Sequence, residues 1–170
     1  MPRDWKQGLA FLLGFAFVMW LGPLVIQIAS GDVGDGELRL VEQQMFERVN
    51  EIRAEYHRES LTRNAELDAV ARAYSVDMAT RGFFSHVDPD GKTPPDRIDA
   101  GGFEGYSLAA ENLGKTTDAA PVREILNGWM FSKVHRKNLL APPFNTTGIG
   151  AARARDGSML VVQLYATLPR

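Results

Sequence analysis

Along residues 38–56, apolar side chains recur every three or four positions: Val41, Met45, Val49, Ile52 and Tyr56, with glutamates and arginines between them. That period predicts an amphipathic helix with one face in a core. Asn64 then stands in N-cap position before Leu67, Val70, Ala71, Tyr74 and Met78, predicting a second helix to about Thr80. The stretch RGFFSHVDPDGKTPP breaks the period with glycines and prolines and reads as a loop, with DPDG as a tight turn. Asp96 to Ala100 reads as a short helix stopped by Gly101 and Gly102, and GYSLAAENLG as one short strand. Pro121 opens a third long helix, capped by Thr117 or Asp118, with Val122, Ile125, Leu126, Trp129 and Met130 on its apolar face and its end near Ser132. SKVHRKNLLAPPF follows as an irregular turn or short helix halted by Pro142 and Pro143. The runs TTGIGAARA and SMLVVQLYATL flank Asp156-Gly157, the residue pair of a tight hairpin. Gly148-Ile149-Gly150 lacks the third glycine and following helix of a nucleotide loop, and reads as a strand that another backbone approaches closely. Helices first and antiparallel strands last predict an α+β layered domain.

A different pattern precedes this one. Residues Gln7 to Gly31 carry no charge, a run longer than the roughly 20 residues that cross a bilayer as a helix. Arg3 and Lys6 lie before it and Asp32, Asp35 and Glu37 after it, which orients the N-terminus inside. The chain thus divides into a cytoplasmic N-terminus (1–6), a transmembrane anchor or signal peptide (7–30), a linker (31–37) and one domain (38–170). The length of the apolar run and the poor cleavage site Ile28-Ala29-Ser30 favour a retained anchor over a cleaved signal. The expectation is a single-pass protein of the cell membrane with its domain extracytoplasmic, secreted if the segment is cleaved. At 45% hydrophobic and 24% charged residues, the chain has the balance of a folded protein. The net charge of -2 and the lack of a Lys/Arg-rich run exclude nucleic acid as the main partner. Absence of cysteine excludes disulfides, thiolate metal sites and a Cys nucleophile.

His86 and His135 lie in segments flanked by small polar residues, with Glu111 between them in sequence. Two imidazoles and a carboxylate suffice to hold Zn²⁺ with one position open. The three come from separate segments without an H-E-x-x-H signature, so the fold must bring them together; the alternative is that each histidine is a hydrogen-bonding surface group. A hydrolase built on such a site needs a carboxylate that is not a ligand as general base, and Asp88 and Asp90 are the candidates. Ser85 and Ser132 lie too close in sequence to His86 and His135 for a nucleophile–base geometry and read as local caps.

Phe83 to Arg97 (FFSHVDPDGKTPPDR), Gly105-Tyr106, Glu111-Asn112-Leu113, Trp129 to Leu140 (WMFSKVHRKNLL), G-I-G and V-Q-L-Y occur in the order found in the CAP superfamily. Asn50-Glu51-Ile52-Arg53 and Leu61 match as well, so that residues 40 to 168 resemble this family of cysteine-rich secretory, antigen 5 and pathogenesis-related 1 proteins, and its bacterial SCP-like extracellular branch most. The resemblance implies a three-layer α-β-α sandwich with a central antiparallel sheet, behind an N-terminal transmembrane helix, and a cavity in which relatives carry two His and two Glu able to hold a divalent metal. His86 matches the first histidine and Glu111 the first glutamate. Lys133 follows Ser132 where relatives have the second glutamate, Leu160 stands where they have the second histidine, and His135 belongs to the bacterial S-x-x-H-R-x-N-L pattern. The cavity candidates are therefore His86, Glu111, His135, Asn112, Ser132, Asn138 and Gln163, with His86, Glu111 and His135 as ligands of a possible Zn²⁺. The implied function is a membrane-tethered binding module for a lipid, glycan or protein ligand, more than an enzyme; the alternative is a metal-dependent, peptidase-like hydrolase.

Overall fold

The computed structural model describes residues 30–169. The expected anchor lies outside them but for Ser30, and among the described residues no helix is long and apolar enough to cross a membrane. Helix α1 runs from Ser30 to Glu55. The expected linker, residues 31–37, is therefore helical, contrary to the glycine-based reading. Two contacts hold this extension: Glu37 pairs with Arg153, and Leu38 packs on the core. Val41, Met45, Val49 and Ile52 are buried as their period requires, but Tyr56, beyond the last turn, is 48% exposed.

A two-residue strand β1 (Thr62–Arg63) precedes α2 (Ala65–Arg81). Asn64 caps α2 by accepting the Leu67 N–H, and Gly82, at φ 72°, ends it. Helix α3 (Pro94–Ala100) begins two residues earlier than expected because Thr93 and Asp96 form a capping box. Strand β2 (Leu108–Thr116), helices α4 (Pro121–Phe131) and α5 (Lys133–Leu140), and the hairpin β3 (Thr146–Arg153) and β4 (Met159–Thr167) complete the order. Neither expected cap serves α4: Ala120 holds that position, and Asp118 instead accepts the Ala120 N–H in the turn before it.

The strand order is β1-β3-β4-β2, antiparallel except that β1 runs parallel to β3. The sheet is thus mixed, and the antiparallel expectation needs correcting at this one edge. Along β4, Met159, Val161 and Tyr165 pack against α1 and α4, while Leu160, Val162, Leu164 and Ala166 pack against α2 and α3. Period-2 alternation on one central strand therefore supplies two cores, one on each face. The glycines of β3 serve this layering: a Cβ on Gly148 would lie 2.2 Å from the Leu67 carbonyl carbon, and one on Gly150 would lie 2.1 Å from the Arg72 nitrogen. The close approach read from G-I-G is that of α2 on the sheet. Gly150→Ala is expected to cost about 1–3 kcal/mol in chemical denaturation, because the obstruction is backbone that no rotamer change removes.

Candidate functional site

Register on β2 decides which candidates meet. Glu111 lies opposite Leu164 and Asn112 opposite Gln163 on β4, so adjacent residues of the E-N-L motif face opposite layers of the domain.

On the α2–α3 side, the Glu111 side chain is 1% exposed and both its oxygens are engaged. Oε1 lies 2.8 Å from His86 Nδ1, and Oε2 accepts Arg97 Nη2 at 2.8 Å. An ionised carboxylate only accepts, so Nδ1 carries the proton in this bond. The imidazole is fixed by that contact while about half of the side chain stays exposed (50%). Arg97, absent from the sequence candidates, organises the group. Its Nη2 also donates to the His86 carbonyl at 3.0 Å and its Nη1 to the Lys92 carbonyl at 2.8 Å, closing the Pro/Gly loop onto α3. Its guanidinium carbon sits 3.3 Å from the centre of the Tyr74 ring, a cation–π contact. Burial pushes the Tyr74 hydroxyl up to about 12, so it remains a neutral donor, bonded to the Ser85 carbonyl. Desolvation raises the Glu111 carboxyl above its ordinary range, with His86 and Arg97 opposing the shift. Phe84 and Val87, on either side of His86, are 47% and 45% exposed.

The opposite face holds a buried amide relay. Asn112 Nδ2 donates to the His135 carbonyl and to the Tyr165 hydroxyl, and its Oδ1 accepts Asn138 Nδ2 at 3.0 Å. Tyr165 in turn donates to Gln163 Oε1, whose amide donates to Thr147. Asn138 also donates to the Glu111 carbonyl at 3.3 Å. Asn112 and Asn138 therefore fasten α5 to the sheet, and Gln163 ties β4 to β3 within it. His135 enters through its carbonyl; its ring makes no bond to Glu111 or His86, and burial first, then the charge of His86, lowers its pKa. Ser132 occupies the N-cap of α5 without a side-chain cap bond, and Ser85 accepts the Val87 N–H in a local turn. Arg97 was the residue sequence reasoning missed, although it closes the FFSHVDPDGKTPPDR run.

These residues do not fit the divalent ion that the resemblance implied. A cation arriving at Glu111 would have to displace His86 or a guanidinium already 2.8 Å from the carboxylate. Among the described residues, no three His, Asp or Glu side chains gather as a metal-binding group. Both candidate bases are committed elsewhere. Asp88 Oδ1 accepts the N–H groups of Asp90 and Lys92, while Asp90 pairs with Arg81 at 2.7 Å, which holds its carboxyl below the usual range.

The family model "Cysteine-rich secretory protein family" (CAP) matches residues 46–165. Among curated proteins of Bacillus subtilis (strain 168), the uncharacterized protein YkwD is 33% identical over 109 residues, 64% of this chain and 41% of the relative. The uncharacterized membrane protein YlbC is 30% identical over 137 residues, 80% of this chain and 39% of the relative. The chain thus spans about two fifths of the length of these curated relatives. The solved structure of an extracellular protein containing a SCP domain from Bacillus anthracis str. Ames matches with a TM-score of 0.70 and 30% identity, over 86% of this chain and 45% of that one.

Proposed function

Because the chain belongs to the cysteine-rich secretory protein family, we propose that it is an extracytoplasmic binding module, tethered to the membrane by residues 7–30, which recognises its ligand through His86. The observation that carries this reading is the half-exposed imidazole held through Nδ1 by a buried, Arg97-braced carboxylate. Such bracing fixes the ring, so Nε2 offers one directional hydrogen bond without first losing rotamer freedom. Its neighbours Phe84 and Val87 add apolar surface. A single polar tip between apolar side chains suits a lipid, a glycan or a protein segment that pairs a hydroxyl or carboxyl group with an apolar face. The tether is supported by the uncharged run Gln7 to Gly31 and by the description of YlbC as a membrane protein. The hydrolase reading draws no support from the site, since Asp88 and Asp90 are both engaged and the proposed ligand trio does not converge.

Binding of the full chain in non-ionic detergent to phospholipid vesicles and immobilised oligosaccharides tests the reading. We expect His86→Ala to weaken capture about tenfold or more, the loss of one desolvated hydrogen bond to a positioned group, and to cost about 1–3 kcal/mol of stability, because buried Glu111 Oε1 loses its partner. Equal capture by wild type and His86→Ala would sink the proposal.

A further inference from the structure

The cleft where the end of α1 meets α5 carries charge that the fold itself does not use. Arg58 on one wall and Lys133, Arg136 and Lys137 on the other line a cavity of about 480 Å³ floored by Leu140 and Pro142. No carboxylate lines it. Elsewhere Arg48, Arg63, Arg72, Arg81 and Arg153 each hold an acidic partner, whereas these four cations have no ion pair among the described residues. Their placement is built in. His57, at φ 54°, turns the chain sharply after α1 and delivers Arg58 to the cleft. Behind the walls, buried Arg53 donates to the carbonyls of Glu59, Leu139 and Phe144 at 2.8, 2.7 and 3.2 Å, locking the turn and the floor in one geometry.

We infer that this cleft is a binding site for a ligand bearing several phosphates. Two guanidinium forks and two ammonium groups match multiple phosphate oxygens, and locked walls spare the ordering cost on binding. The phosphate source is a soluble or polymeric chain, not a lipid headgroup. A 26-residue α1 is about 39 Å long, which under the tethered reading carries the cleft away from the bilayer. The exposed side of α1 presents Glu47, Glu51 and Glu55 with one arginine, Arg48, paired to the last two, so that face adds no net positive charge by which an anionic bilayer would be held.

Calorimetric titration of the full chain, held in zwitterionic nanodiscs, with short-chain sodium polyphosphate tests this. The expected result is saturable binding whose logarithm falls against log salt with a slope of about -3 for four neutralised charges, and which Lys133→Gln/Arg136→Gln/Lys137→Gln weakens about tenfold or more. Arg155→Gln, an exposed cation outside the cleft, should change it less than about twofold, the effect of net charge alone. His86→Ala should leave it intact, which separates this site from the one proposed above. Absence of binding, or equal losses in the triple and Arg155 variants, overturns the inference. Vesicles of phosphatidylglycerol captured in place of polyphosphate, and released by the triple variant, would assign the cleft to headgroups and overturn it as well.

Discussion

Arg97→Gln is expected to destabilise the domain by about 3–5 kcal/mol, the cost of leaving a buried charge without its partner. Glu111 would keep only His86, and the His86 loop would lose its tie to α3. Burial already holds the Glu111 carboxyl above its ordinary 4.5, with His86 and Arg97 opposing the rise. A carboxyl with a raised folded pKa binds its proton more tightly when folded. Its contribution is therefore fully present below the unfolded value and is lost as pH rises through the folded one. Removing Arg97 raises that value further, so the deficit of the variant should be smallest in acid and widen toward neutral pH. Urea denaturation of wild type and variant across this range measures it. A double change, Arg97→Met with Glu111→Leu, should recover much of the loss, because neither charge then remains buried. If the single variant matched wild type at neutral pH, Arg97 would not be bracing Glu111.

The second large effect is expected at Arg53, which is fully buried and faces carbonyls with no carboxylate among its hydrogen-bond partners. Desolvation lowers its pKa, a sign that the fold sustains this cation at a cost. Arg53→Met fills similar volume but orphans the Leu139 and Phe144 carbonyls, at about 1–3 kcal/mol each. We expect a net loss of about 2–4 kcal/mol, since removing the desolvated charge returns part of it. Thermal unfolding of the full chain reads the loss. Polyphosphate titration supplies a second measure, since walls no longer tied together should bind more weakly.

Local signals carried most of the fold. The apolar stripe of α1, the Asn64 cap and the Asp156-Gly157 turn each act within a few residues, so the sequence displays them directly. Strand β1 has two residues, too few for a period, and its pairing of Thr62 with Thr146 spans most of the domain. The helical state of residues 31–37 was hidden for a similar reason: glycine composition suggested a spacer, and the contacts of Glu37 and Leu38 with distant elements decided otherwise. At the site, His86 and Glu111, two of the three residues read as sharing a cavity, are hydrogen-bonded to each other. Their brace was not legible, because nothing in the spacing of Arg97 announces that it folds back over Tyr74. Reading Asn112 beside Glu111 as a cavity partner neglected strand alternation, which sends the two to opposite layers.

Strand β4 stands inside the sheet, flanked by β3 and β2, yet follows every other described element in the chain. Both cores close on its side chains. A nascent chain that has not yet delivered residues 159–167 has β2 and β3 without the strand that pairs with both, so neither core can close and no cooperative fold forms. Cooperative folding therefore waits on the last described strand, and the polypeptide made before it stays open.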